Sequence, residues 1–228
     1  MTRNLKALGL ALVAVFAMSA MAASGAQATD ATFSWDEDTK FLTAHEESSQ
    51  VFSTTAGSFT CDMVTGHANV EGINDVKTVT GTEVIYWNTA SGSKEEAKCE
   101  GPFGTSPTIE TNGCHFRFNA GETTAAGTSE GTVDIIGCTG GEITINAPLC
   151  TIHVTEQEGV GPVTYHTVSG SPEDVTIESH ANNIVSHHEG FFCGGSAHTD
   201  TAGTYTGKVT ITGYRDAAHT EQTNVTIT

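Results

Sequence analysis

The chain has 228 residues, a formal net charge of −18 and only 7% aromatic residues. Nine Lys and Arg against 27 Asp and Glu exclude a nucleic-acid binder and argue against docking on anionic lipid, since such partners repel an acidic chain. With aromatics scarce, a core must come mainly from Val, Ile and a few Phe, a palette that suits strands better than helices.

Arg3 and Lys6 precede an apolar, small-residue run from Ala7 to Ala23, and Ala26-Gln27-Ala28 follows as a small-x-small cleavage pattern. Residues 1–28 therefore read as a signal peptide and 29–228 as the mature β-rich domain. The rival reading, a retained anchor, is disfavoured by the cleavage pattern. Removing Arg3 and Lys6 with no acid moves the charge from −18 to −20. The expected location is secreted, extracellular or in the cell envelope, with no stable membrane anchor after cleavage.

Along the mature chain, Asp36-Glu37-Asp38 is an acidic triplet without a calcium-loop frame, which reads as a solvated turn. Only Thr39–Ser48 and Ser93–Lys98 are candidates for short helices. Glu83-Val84-Ile85-Tyr86-Trp87 is apolar enough for a central strand. His115-Phe116-Arg117-Phe118 and Val133-Asp134-Ile135-Ile136 form a predicted hairpin. After it, 142–146, 151–155, 174–178, 208–212 and 224–228 alternate polar with apolar, the period-2 signature of half-buried strands. Gly- and Pro-rich turns fall between them at 139–141, 159–162 and 169–172.

About a dozen short strands with such turns mean an all-β sandwich or barrel. An antiparallel β-sandwich is expected, with two related β-lobes divided near residues 105–113 as the alternative organisation. The lobes are suggested by an echo between Glu130–Gly137 and Thr206–Gly213, a shared G-x-V-x-I-x-G.

Six cysteines in an exported chain (Cys61, Cys99, Cys114, Cys138, Cys150, Cys193) read as three disulfides. Cys114 opens one strand of the predicted hairpin and Cys138 closes the other, which places them opposite each other. Pairing the rest in sequence order gives Cys61–Cys99 and Cys150–Cys193. Zinc is disfavoured because no two cysteines show the C-x₂₋₄-C spacing.

No catalytic or cofactor motif survives its context. Gly127-Thr128-Ser129-Glu130-Gly131 spells a nucleophile elbow, but a strand rather than a helix follows, so Ser129 reads as an ordinary loop serine. Glu156 and Glu158 alternate on one strand face, an acid/base pair only if their separation suits it. Weak metal candidates flank Cys193: on strands, His187 would share a face with Glu189, and His198 with Asp200. His187 and His188 would point to opposite faces. Exposed histidines on a disulfide-tethered loop are the plainer reading, and no cofactor is expected.

The succession Cys61 … Cys99-Glu100-Gly101-Pro102-Phe103-Gly104 … Gly113-Cys114-His115-Phe116-Arg117-Phe118 … Cys150-Thr151-Ile152-His153-Val154 … Cys193 … Gly203-Thr204-Tyr205-Thr206-Gly207 resembles a family of exported six-cysteine, β-rich actinobacterial proteins of unknown function. The resemblance implies export and β structure and carries no activity. The sequence thus favours a non-enzymatic extracellular or envelope module that binds a polymer, surface or protein. A hydrolase using carboxylates or histidines, and a metal or small-ligand carrier, are the alternatives.

Overall fold

The computed structural model describes residues 30–90 and 92–228, so the expected signal peptide and the new N-terminus at Thr29 lie outside the described residues. Sixteen strands follow in order: β1 (Phe33–Trp35), β2 (Phe41–Glu46), β3 (Gln50–Thr54), β4 (Gly57–Cys61), β5 (Met63–Asn69), β6 (Thr78–Trp87), β7 (Thr108–Glu110) and β8 (His115–Ala125), then β9 (Thr128–Ile136), β10 (Ile143–Ala147), β11 (Cys150–Val154), β12 (Gln157–Val168), β13 (Asp174–Glu189), β14 (His198–Tyr214), β15 (Gln222–Thr223) and β16 (Val225–Ile227). Single 3₁₀ turns at Lys94–Glu96, Pro102–Gly104 and Phe191–Cys193 are the helical pieces among the described residues.

Eight of these strands close on themselves. The circuit β2–β5–β6–β8–β9–β12–β13–β14 returns to β2, and every pairing in it is antiparallel. The molecule is therefore all-β and antiparallel as expected, but a closed barrel takes the place of the expected sandwich. The decisive strand is β14, which pairs with β13 along one edge and with β2 along the other. Period-2 alternation is compatible with either architecture, because a barrel wall and a sandwich layer both bury one face.

Inside the barrel the alternation is followed strand by strand. Leu42 and Ala44, Val64 and Ala68, Val133 and Ile135, Val175 and Ile177, and Val209 and Ile211 point inward. Of the echo seen in the sequence, Val133 and Ile135 on β9 and Val209 and Ile211 on β14 all line the interior. Register shifts between Ala181 and Ile184 let β13 bend, with Asn183 at φ 59°, so that Ile184, Ser186 and His188 become the buried set beyond the bulge.

Both barrel ends are covered. At one end the β1–β16 ribbon packs Phe33, Trp35, Val225 and Ile227 against Val163, Tyr165 and Val175. Phe33 meets Tyr165 edge-on, with ring centroids 5.1 Å apart. At the other end the long β13 and β14 outrun the barrel and carry a second layer, β11–β10–β7 beside β13 and β3–β4 beside β14. Phe52, Phe59, Ile109, Ile143, Ile145 and Ile152 fill this cap.

All three disulfides staple the cap end: Cys61–Cys99, Cys114–Cys138 and Cys150–Cys193, the pairing expected from the sequence. The β8–β9 hairpin brings His115 opposite Ile136, which sets Cys114, one residue before His115, near Cys138, two residues after Ile136. Three disulfides fit an oxidising compartment. Among the described residues no helix is long and apolar enough to cross a membrane.

Two local expectations change. Residues 39–48 are not helical, for Phe41–Glu46 is β2, claimed by pairing with β5 and β14. Ser93–Lys98 shortens to the 3₁₀ turn Lys94–Glu96, closed by a capping box from Ser93 and Glu96. Residues 105–113 carry β7, which joins the continuous sheet through β10.

Candidate functional site

The barrel interior is not filled. A cavity of about 180 Å³ lies within it, lined by side chains from all eight strands. An eight-stranded barrel has an interior just wide enough for side chains to fill or for one small ligand, and residue size decides which. Here the waist is lined by Ala44, Gly66, Gly81, Ser179, Ala181 and Gly207. A methyl group added at Gly66 would lie 3.2 Å from Val84 Cγ2 and 3.8 Å from Ala44 Cβ, so these three share one stretch of inner wall.

The lining contains no Asp, Glu, Lys or Arg, and Val64, Val84, Phe116, Phe118, Ile177 and Val209 make it predominantly apolar. One wall departs from that rule. Tyr205 Oη donates to Gln50 Oε1 at 2.5 Å, while Gln50 Nε2 donates to the Ser48 and Lys208 carbonyls at 2.6 and 3.2 Å. A side chain at Gly207 would meet the Gln50 amide and push it out of these hydrogen bonds. Tyr86 packs edge-on to Tyr205 with ring centroids 6.4 Å apart. Burial raises both phenols above their ordinary value, so both stay protonated, with the Tyr205 hydroxyl offsetting part of the rise at Tyr86. Ser179 stands opposite Gly207 across β13–β14, and its hydroxyl bonds to no described residue.

The metal candidates of the sequence do not converge. His187 and Glu189 share the outer face, 3.5 Å apart and exposed. Asp200 and His198 lie on the opposite, inner face, opposite Ser186 and His188 in the register. The two pairs are thus separated by the thickness of the ribbon, and Asp200 is consumed by Thr55 N, Thr55 Oγ1 and Ala202 N at 2.8–2.9 Å. Among the described residues no three His, Cys, Asp or Glu come together as a metal-holding group.

Searches against family models, curated proteins and solved structures return no match. The resemblance to exported actinobacterial proteins therefore rests on the sequence motifs alone.

The other sequence candidates are engaged structurally. Ser129 is in strand β9 rather than in a loop, fully buried, with no partner for its hydroxyl among the described residues. Glu156 accepts the Cys138 amide at 2.7 Å and Glu158 pairs with Arg117 at 3.2 Å. Asp36 holds Asn224, and Asp38 pairs with Arg215 at 3.2 Å.

Sequence reasoning missed one buried cluster. His188 is 0% exposed, with Nε2 2.9 Å from Ser186 Oγ and its ring 5.0 Å from that of His198. A serine on a histidine is the geometry of a nucleophile and its base. However, His188 Nδ1 has no partner among the described residues to orient it, and Ser186 and Asp200 are buried beneath the cap. Burial lowers the His188 pKa and Asp200 partly offsets this, so the ring is neutral, a core group rather than a base serving solvent. The signal for its burial was the alternation Ile184-x-Ser186-x-His188, legible only once the bulge before Ile184 is known.

At the outer tip of the cap, Phe103 is 94% exposed and Leu149, Phe191 and Phe192 are exposed beside it. Phe192 N donates to the Leu149 carbonyl at 3.1 Å, and Phe103 and Phe192 border one shallow depression. Phe103 and Leu149 have φ near 60°, and a side chain at Gly190 would collide with the Leu149 carbonyl. The turns holding these side chains outward are thus sterically specified.

Proposed function

We propose that this protein is an exported binding module whose barrel holds one small, neutral, predominantly apolar molecule. The observation that carries the reading is the cavity of about 180 Å³ enclosed by eight strands and lined without a charged side chain. An apolar protein cavity of about 150 Å³ admits benzene, so the space suits a ligand of benzene size or slightly larger. A solvent-sealed Ser186–His188 pair and dispersed carboxylates support binding over hydrolysis.

The reading is tested by titrating the purified exported protein with toluene in a calorimeter. Saturable one-to-one binding with a negative heat-capacity change supports it, because that change reports burial of apolar surface. Absence of binding, with no rise in Tm at saturating toluene, refutes it. A second reading, attachment to an envelope polymer or protein through the cap tip, is favoured by Phe103, Leu149, Phe191 and Phe192 standing in solvent together. It is compatible with the first, since the tip and the cavity are different surfaces.

A further inference from the structure

We infer that the cavity selects molecules carrying a single hydroxyl on an otherwise apolar body, a phenol or short-chain alcohol, and seats that hydroxyl on the wall formed by Tyr86, Tyr205, Gln50 and Ser179. This rests on the cavity reading above and adds the ligand's chemical class and its orientation.

The wall holds unused hydrogen-bonding capacity. Tyr205 Oη spends its proton on Gln50 Oε1 and is also hydrogen-bonded to Tyr86, which leaves one of its two lone pairs free to accept. Both amide protons of Gln50 are directed at backbone carbonyls, so the amide is fixed and cannot turn to serve another group. The Ser179 hydroxyl bonds to no described residue, faces the cavity, and can both donate and accept. In the register it stands opposite Gly207, the residue over which the Gln50 amide lies. A hydroxyl placed here gives its proton to Tyr205 and takes one from Ser179.

The same wall excludes other classes. No Lys or Arg lines the cavity to neutralise a carboxylate or phosphate, burial lowers the pKa of the one lining histidine, His67, and no Asp or Glu lines it to hold an amine. Moving an unpaired ion into such a space is strongly unfavourable. Elsewhere the lining is mostly Val, Ile and Phe, with Thr43, Thr65 and His67 as its other polar residues, so a second or third hydroxyl finds few partners.

The experiment compares toluene with p-cresol, two molecules of nearly one shape that differ by the hydroxyl. In a purely apolar cavity p-cresol binds more weakly, since its hydroxyl loses water without replacement. The inference requires the reverse, p-cresol tighter by roughly tenfold, a factor in keeping with one or two well-made hydrogen bonds. Ser179→Ala and Tyr205→Phe must each erase most of that preference and leave toluene affinity nearly unchanged, and retained toluene binding certifies that the variants fold. Should Tyr205→Phe fail to fold, Ser179→Ala decides alone. If wild type binds toluene but p-cresol more weakly, the cavity reading stands and the hydroxyl wall is refuted. If p-cresol is preferred equally in wild type and variants, the hydroxyl sits elsewhere and the inference falls. Failure to bind either molecule removes the cavity reading itself.

Discussion

A hollow barrel should become more stable when its interior is filled, whereas a packed one should become less so, and Ala44→Ile distinguishes the two. Ala44 is in the middle of β2, paired with Gly66 on β5 and lining the cavity. Isoleucine is at home in a strand and has few rotamers to lose. At about 24 cal/mol per Å³, an apolar void of about 180 Å³ costs about 4 kcal/mol. Three added carbons recover about 0.8 kcal/mol each, and ordering the side chain takes back about 0.5–1 kcal/mol. The net gain is about 1.5 kcal/mol, which for a domain of this size raises Tm by about 3–6 °C. The assay is a thermal melt of ligand-free protein followed by toluene titration of the same sample. The account requires a raised Tm together with at least tenfold weaker toluene binding. A Tm lowered by overpacking, which costs about 1–3 kcal/mol, with ligand binding unaltered, would refute the reasoning.

Three further outcomes follow from the same structure. Replacing Cys114 and Cys138 by Ser should destabilise by about 3 kcal/mol, and Cys150 with Cys193 by about 4 kcal/mol, because the bridged separations are 24 and 43 residues; chemical denaturation under non-reducing conditions measures both. Asp134 receives Gly159 N at 2.6 Å, Asn119 Nδ2 at 3.0 Å and Arg117 at 2.7 Å, tying β8, β9 and β12 together. Asp134→Ala should cost about 3 kcal/mol in urea unfolding, since it leaves partly buried donors unpaired. His188 is held below its ordinary pKa of 6.5 by burial, so the unfolded chain takes up a proton more readily than the folded one. Its contribution to stability is complete above pH 6.5 and is lost as the pH falls below that value. The slope of Tm against pH between 7 and 5 should flatten in His188→Gln, though not vanish, because burial lowers His67 in the same sense; an unchanged slope would contradict the assignment.

Strand content, antiparallel pairing and the disulfide set were legible in the sequence because each is a local signal. Alternation in 174–178 and 208–212 marks half-buried strands whatever closes the sheet, and a hairpin fixes Cys114 beside Cys138. Closure was not legible, because it depends on β14, already paired with its sequence neighbour β13, also pairing along its other edge with β2 far away in sequence, at Ala44–Ile211. The bulge at Asn183 likewise inverted the faces of β13, so that His188 went to the core, where a simple count of alternation gives no warning. The candidate site was hardest to see, since it is made of what is missing. Gly66, Gly81 and Gly207 look like weak strand residues until the barrel sets them around one space. Tyr86, Tyr205, Gln50 and Ser179 stand on four separate strands, and no spacing links them.

The most direct test of the central claim is an intermolecular nuclear Overhauser measurement between toluene protons and the isotope-labelled methyl groups of Val, Ile and Leu. The account predicts contacts to Val64, Val84, Ile177 and Val209, on four different strands facing one interior. Contacts confined to Leu149 at the exposed tip, with none inside, would show that the apolar ligand binds the surface and that the barrel is not a ligand site.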